Sequence, residues 1–188
     1  MAELAKNPTL MKKAQGEIRN HVGNKRKVIE TDLKELPYLK MIVKETLRLH
    51  PPVPLLVPRE TISHFKIEGY NFYPKTMVQV NIWAIGRDPT YWKDPEKFLP
   101  ERFVESSIDY KGQHFEFLPF GAGRRICPGL NMGMKNVELA LANLLYHFDW
   151  KLPNGMKEEE LDMEENSGLS LTLHKKLPLK LVPILYYP

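Results

Sequence analysis

The chain has 188 residues, 43% of them hydrophobic, and a formal net charge of +4, so it is long and apolar enough to form a globular core. Its single cysteine excludes a disulfide within the chain and any all-cysteine zinc or iron–sulfur site, because each of these needs several sulfurs. The basic residues are scattered among acidic ones rather than lined along one helix, so we expect no nucleic-acid partner.

The apolar runs of the chain are short. None approaches the ~18 consecutive apolar residues of a membrane span. The N-terminal sequence MAELAKNPTL also lacks the charged start and apolar core of a signal peptide. As written, the chain is therefore expected to be soluble, while a longer protein that contains it could be anchored.

Two amphipathic helices are predicted in the first fifty residues. The first begins at Asn7 and Pro8, an N-cap followed by a first helical residue, and ends at Gly23. Its apolar positions recur at helical spacing: Leu10, Ala14, Ile18 and Val22. The second ends before two prolines that disfavour helix, and its stripe consists of Leu39, Ile42, Thr46 and Leu49.

The middle of the chain changes to short β-rich pieces. The sequences LLVP, HFKIEGYNFY and TMVQVNIW, between residues 53 and 83, predict a small antiparallel sheet broken by proline and glycine. Residues 87–120 show little periodicity but contain Asp-Pro pairs and aromatic residues. This composition indicates an ordered, irregular loop that is packed down by its aromatic side chains.

A third helix and a hairpin are predicted for the remainder. The helix follows Pro128, and its apolar residues are Leu130, Met134, Val137, Leu141, Leu144, Leu145 and Phe148. The alternating tail LSLTLHKKLPLKLVPIL predicts a closing hairpin. The expected fold class is therefore mainly α with small antiparallel β-sheets (α+β).

The only cysteine, Cys127, lies in the sequence FGAGRRICPG, directly before the third helix. A thiolate is favoured at a helix N-terminus and beside cations, and the Arg124–Arg125 pair supplies cations. Free cysteine is commonly just a small buried hydrophobe, but such a residue has no use for flanking glycines and arginines. Two reactive roles stay open from the residues alone, a nucleophile and a ligand to a metal such as haem iron.

This sequence resembles the haem-binding signature of the cytochrome P-450 monooxygenases, and five positions match: Phe120, Gly123, Arg125, Cys127 and Gly129. Two further motifs of the family occur in the family's order. A Glu-x-x-Arg pair is present as Glu45 and Arg48 in KETLR, and a Pro-Glu-Arg-Phe sequence is present at residues 100–103. Taken alone, a Glu–Arg pair at this spacing is most often an exposed helix pair. Together, the three motifs are specific.

The resemblance implies a role for each of these residues. Cys127 would be the catalytic thiolate and the metal ligand of haem b. Arg125 and Arg59 would contact the haem propionates, although Arg59 could equally be a surface residue of a strand. Phe120 would shield the thiolate, and the flanking glycines Gly121, Gly123 and Gly129 would shape the loop around it. A structural triad would comprise Glu45, Arg48 and Arg102, with Glu45 half-buried at the margin of the apolar stripe.

The resemblance also implies substrate, partners and location. Substrate contacts would come from the residues after the second helix, Val53, Leu55, Leu56 and Val57, and from the tail around Gly168 and Leu169. The stretch VPLLV could equally be plain sheet core. The family, here most like its plant A-type members, implies a lipophilic small-molecule substrate, O2, and a flavin reductase that passes on electrons from NADPH. It also implies the cytoplasmic face of the endoplasmic reticulum membrane, reached through an N-terminal anchor.

Residues 1–188 resemble only the C-terminal portion of the family's catalytic domain. The sequence MAELAKNP resembles the far end of the family's long central helix, so Met1 is expected to be an internal residue of a longer protein. The 188 residues by themselves are expected to be inactive, because the other face of the haem would be open. The alternative function is a truncated, catalytically inactive remnant that at most binds haem or a partner chain.

Overall fold

The computed structural model describes residues 1–166 and 171–187. Long helices lie in the first fifty residues and again at residues 130–147, as the periodic stripes predict. The α-helices are α1 (Ala2–Lys6), α2 (Pro8–Val22), α3 (Pro37–Leu49), α4 (Ile82–Ile85) and α5 (Leu130–His147). Short 3-10 turns lie at Glu30–Glu35, Pro100–Phe103, Gly123–Arg125, Pro153–Gly155 and Glu158–Glu160.

The three long helices begin and end where the sequence indicates. Pro8 and Pro37 occupy the first turns of α2 and α3, where a missing backbone N–H costs nothing. Gly23 follows α2 with φ of 57°, a conformation suited to glycine, and its N–H donates to the Arg19 carbonyl. The predicted helices of the first fifty residues and the helix after Pro128 are confirmed, except that Phe148, expected in the stripe of the third helix, is extended and begins a strand.

The strands form four separate antiparallel pairs in the described residues. These are β1 (Arg59–Glu60) with β4 (Met77–Val78), β2 (Phe65–Ile67) with β3 (Tyr70–Phe72), β5 (Phe148–Lys151) with β8 (Val182–Leu185), and β6 (Glu165–Asn166) with β7 (His174–Lys175). The mainly α fold class with small antiparallel sheets is confirmed.

The predicted strand LLVP is wrong, and the predicted strand TMVQVNIW is confirmed only at Met77–Val78, since Ile82 begins α4. Residues 55–58 form turns instead of a strand, and Leu56 has φ of 52°. Prolines at 52, 54 and 58 explain this, because each lacks an N–H for a ladder and restricts the residue before it. At the other end, Asn81 caps α4 by accepting a hydrogen bond from the Ala84 N–H at 3.0 Å.

The tail also differs from a single closing hairpin. β7 pairs with β6, whereas β8 pairs with β5, directly after α5, in the register Phe148 with Leu185. Pro178 lies between β7 and β8, and such a residue interrupts a strand. The last strand is therefore free to pair elsewhere, and alternation alone does not show with which strand.

The core lies between α2, α3 and α5. Its most buried members, each at most 1% exposed, include Leu4, Ala14, Ile18, Leu36, Leu39, Ile42, Ala142 and Leu145. A second, smaller cluster holds the irregular segment after α4, as the aromatic composition predicts. There Trp92, Phe103 and Phe117 pack with ring centroids 5.7–6.3 Å apart.

Candidate functional site

A cavity of about 660 Å³ lies between the segment that follows α3 and the cysteine loop, residues 120–129. The cavity is mostly apolar and has the size of a small-molecule site. The α3 side supplies Leu47, Pro52, Val53, Leu56, Val57 and Arg59, and the cysteine-loop side supplies Pro119, Phe120, Gly121, Arg124, Arg125, Ile126, Cys127 and Pro128.

Cys127 is partly exposed and lines this cavity, so it is not an inert residue enclosed in the core. Its backbone N–H donates to the Phe120 carbonyl at 3.0 Å, which closes the loop on itself. Gly129, the N-cap of α5, follows two residues later. The sulfur therefore lies just before the N-terminus of the third long helix, where a negative charge is favoured.

Two close approaches shape the cysteine loop. Gly121 has φ of 73° and lies on the cavity wall, where an added Cβ would come within 3.7 Å of Leu56 Cδ1. Gly112 packs closely against residues of the same loop. A Cβ on Gly112 would lie 3.0 Å from Ile126 Cδ1 and 3.1 Å from the Gly121 oxygen. The sequence analysis missed Gly112 because nothing in the surrounding letters shows which loop it touches.

Three arginines line the cavity. Arg59 comes from β1, and Arg124 and Arg125 come from the turn before the cysteine. The Arg59 Nη2 donates a hydrogen bond to the Arg125 carbonyl at 3.1 Å, which joins the two sides of the cavity. The adjacent arginine pair was noted in the sequence for its charge, but Arg124 was not assigned to the site.

The other predicted residues lie as follows. Val53, Leu56 and Val57 line the cavity, whereas Leu55 is not among its lining residues. Gly123 and Gly129 flank the wall, at the start of a 3-10 turn and at the N-cap of α5. Gly168 and Leu169 lie outside the described residues. The sequence analysis missed Leu47, Pro52, Pro119, Ile126 and Pro128, which are apolar and carry no separate signal.

The side chains of the predicted triad, Glu45, Arg48 and Arg102, contact one another. Arg48 donates to both carboxylate oxygens of Glu45, each at 2.8 Å, and Arg102 Nε donates to Glu45 Oε1 at 2.9 Å. Glu45 is fully buried rather than half-buried, because the segment after α4 covers α3 at this point. A bidentate, charge-assisted pair of this kind is among the stronger polar contacts in proteins.

Both arginines also hold the irregular segment between α4 and residue 103. Arg48 Nη1 donates to the carbonyls of Gly86 at 2.5 Å and Pro95 at 2.7 Å, and Nη2 donates to that of Lys97 at 3.1 Å. Arg102 Nη1 donates to the Lys93 carbonyl at 2.8 Å. The fork-shaped guanidinium groups thus satisfy carbonyls that no ladder or helix pairs.

The donor set fits haem better than the competing uses of a cysteine. Among the residues that the structure describes, no histidine lines the cavity, so none of them provides Cys127 with an adjacent imidazole base for a nucleophilic role. Across residues 1–166 and 171–187, no group of three or more His, Cys, Asp or Glu is arranged to hold a metal ion. A lone soft ligand on an apolar wall, with arginines beside it, would suit an iron whose remaining ligands come from a porphyrin with carboxylate arms.

A family model described as Cytochrome P-450 matches residues 1–181. The chain belongs to the cytochrome P-450 family. Among curated relatives, cytochrome P-450 71B26 of Arabidopsis thaliana is 62% identical over 186 residues, and cytochrome P-450 71B34 of the same plant is 62% identical over 183. These matches cover 99% and 97% of this chain.

The solved structures agree with this membership. A zebrafish cytochrome P-450 with abiraterone matches with a TM-score of 0.86 at 30% identity, over 99% of this chain and 43% of that one. The chain spans little more than a third of the two curated relatives, 37% and 36% of their lengths. Within the described residues, no helix of this P-450 chain is both long and apolar enough to cross a membrane.

Proposed function

We propose that the protein is a haem-dependent monooxygenase in which Cys127 is the protein ligand of the haem iron. The position of its sulfur carries the proposal, because the only thiol of the chain lies on the wall of a largely apolar cavity with three arginines. When bound, haem with a thiolate ligand supplies the activation of O2 and the transfer of one oxygen atom to a substrate.

The residues around Cys127 have separate tasks in this proposal. The Phe120–Cys127 backbone hydrogen bond fixes the direction of the sulfur, and the Phe120 ring keeps water from it. Arg125 and Arg59 hold the two carboxylate arms of the haem by charge-assisted hydrogen bonds. Gly121, Gly123 and Gly129 carry no side chain, so the backbone of the cysteine loop could pass close to the haem.

We assign the substrate to lipophilic small molecules, in particular plant specialised metabolites. Val53, Leu56 and Val57 give the α3 side of the cavity an apolar wall. The curated relatives come from a plant, and two zebrafish neighbours are described with abiraterone and with progesterone, which are both lipophilic. Leu55, Gly168 and Leu169 belong to the same substrate hypothesis.

The triad has a structural rather than a chemical task in this scheme. Glu45, Arg48 and Arg102 fix the segment that leads to the cysteine loop, and none of them lines the cavity. The proposal further includes a separate flavin reductase as electron donor, which takes electrons from NADPH. It places the protein at its natural length on the cytoplasmic face of the endoplasmic reticulum membrane.

A carbon monoxide difference spectrum of the protein at its natural length tests the proposal. The reduced wild-type protein should show the Soret band that is typical of thiolate-ligated haem, and Cys127→Ser should lose it while keeping its fold. Met132→Leu is the matched control, since Met132 is exposed five residues further along the chain and does not line the cavity.

The alternative, an inactive remnant that at most binds haem or a partner chain, makes the opposite prediction. Its supporting observation is that the chain matches little more than a third of the length of the relatives. A wild-type protein that folds but gives no thiolate-type band, even after reconstitution with haem, would favour the remnant and reject the monooxygenase.

A further inference from the structure

His50 lies between two carboxylates from distant parts of the chain. Its Nδ1 is 2.5 Å from Glu165 Oε1, and its Nε2 is 2.7 Å from Glu3 Oε1. Glu3 belongs to α1 and Glu165 to β6. One imidazole ring therefore joins the first helix, the end of α3 and the β6–β7 hairpin, and its side chain is only 25% exposed.

The backbone of α3 fixes the position of this ring. His50 caps the helix, and its N–H donates to the Thr46 carbonyl at 2.8 Å. Two residues further on, Pro52 lines the 660 Å³ cavity, and its carbonyl accepts a hydrogen bond from the Leu173 N–H at 2.8 Å. Glu165 and Leu173 are thus joined to two neighbouring residues, His50 and Pro52, and Pro52 belongs to the cavity wall.

The arrangement requires a charged ring. Carboxylate oxygens only accept hydrogen bonds, and a histidine donates from both nitrogens only as the imidazolium. Burial by itself would lower the pKa of His50, but the hydrogen bonds to Glu3 and Glu165 outweigh burial and leave the pKa above its ordinary value. The stability gained from the charge is present below the ordinary pKa and is lost as the pH rises through the raised one.

Other titratable groups face the same place. Met1 and, from β7, His174 and Lys175 line a cavity of about 220 Å³ around His50. Lys175 Nζ donates to the Asp162 carbonyl. The two carboxylates are the groups in hydrogen-bond contact with the ring, so they dominate its protonation.

We propose that His50 is a proton-controlled positioning residue, which in its charged form holds the β6–β7 hairpin against the cavity wall. When one ring nitrogen loses its proton, a lone pair faces a carboxylate, and an attractive contact becomes repulsive. Leu173, next to β7, donates its N–H to the carbonyl of Pro52 on the cavity wall, so protonation of His50 affects how firmly the described part of the hairpin is attached to that wall. The inference needs no haem and goes beyond the proposed function.

Hydrogen–deuterium exchange of the protein at its natural length tests whether charged His50 holds the hairpin in place. Exchange in residues 164–176, corrected for the intrinsic rate, is followed from about pH 5.5 to about pH 9. The wild type should show about tenfold faster exchange above a transition that lies higher than the ordinary histidine pKa. His64→Gln, at an exposed histidine that does not line the cavity around His50, is the control and should behave like the wild type.

Two variants distinguish an effect of His50 protonation on the hairpin from a general loss of structure. His50→Gln should give fast, pH-independent exchange in the hairpin. Glu165→Gln should abolish the transition in the hairpin but keep it in α1, where Glu3 still faces the ring. A wild-type hairpin without a transition, or a Glu165→Gln hairpin that keeps it, would overturn the proposal. Neither result depends on whether the protein binds haem.

Discussion

Arg102 Nε donates to Glu45 Oε1 at 2.9 Å across 57 residues of sequence. The same oxygen accepts a hydrogen bond from the Leu99 N–H at 2.8 Å. One buried carboxylate thus links α3 to the Pro100–Phe103 turn, which leads into the aromatic cluster of Trp92, Phe103 and Phe117. The attachment of this turn to α3 depends on a contact between charged groups that are largely withdrawn from water.

Glu45→Gln should destabilise the protein strongly. It removes one charge of a buried network and leaves Arg48 and Arg102 without their counter-charge, which typically costs about 3–5 kcal/mol in the free energy of unfolding. Urea denaturation measures the effect. Glu35→Gln, at an exposed position, is the control and should stay within about 0.5 kcal/mol of the wild type. Equal stability of the two variants would show that the network contributes little.

Gly86→Ala should destabilise the fold, although Gly86 does not need a positive φ. A Cβ there would lie 2.7 Å from the backbone oxygen of Arg48, so one of these two backbone segments must move, at a cost of about 1–3 kcal/mol in the free energy of unfolding. Gly16→Ala provides the opposite case. Gly16 is in α2 with no atom within 4 Å of an added Cβ, and alanine should stabilise the helix by about 1 kcal/mol. Thermal unfolding distinguishes the two, and a stabilising Gly86→Ala would refute the close approach.

Arg59→Gln should weaken haem retention. The change removes a cation from the cavity wall and the hydrogen bond to the Arg125 carbonyl, so we expect about tenfold faster loss of haem to an acceptor protein. Arg26→Gln, an exposed residue in the connection between α2 and the Glu30–Glu35 turn, is the control. Unchanged haem loss in Arg59→Gln would assign Arg59 to the surface rather than to the site.

Glu138→Gln should raise stability at neutral pH. Glu138 is 7% exposed on α5, and burial raises its pKa, which Lys40, Lys135 and Lys44 only partly oppose. Because the folded state binds this proton more tightly than the unfolded state, stability falls as the pH rises from the ordinary glutamate pKa through the raised one.

The variant should therefore unfold about 2–4 °C higher near pH 7 and like the wild type near pH 4. Calorimetry at the two pH values provides the measurement, with the exposed Glu159→Gln as control. A gain of the same size at both pH values would contradict titration of Glu138 as the cause.

Sequence alone predicted the long helices well, for a physical reason. Helical periodicity and caps are local, and the Glu45–Arg48 pair is three residues apart. Pairings between distant segments carry no such local sign. The partner of β8 is β5 rather than β7, and residues 55–58 are turns because of their prolines.

The candidate site shows the same division. The membership of Cys127, Arg125 and Val53 in one cavity followed from motifs, whereas Arg124 and Ile126 were not assigned to it. His50 gave no signal in the sequence at all. Its hydrogen-bond acceptors, Glu3 and Glu165, are 47 and 115 residues away, and only the folded chain brings them to the ring.

The guanidinium of Arg48 contacts the carbonyls of Gly86, Pro95 and Lys97 as well as Glu45. The segment that contains these carbonyls has few backbone ladders of its own, so its shape is specified by two cations, Arg48 and Arg102, the second of which donates to the carbonyls of Lys93, Asp94 and Lys97. Loss of either guanidinium therefore removes several contacts of the segment at once. Lysine, with its compact ammonium, lacks the planar fork that contacts several carbonyls at once. An Arg48→Lys replacement would therefore lose most of these hydrogen bonds.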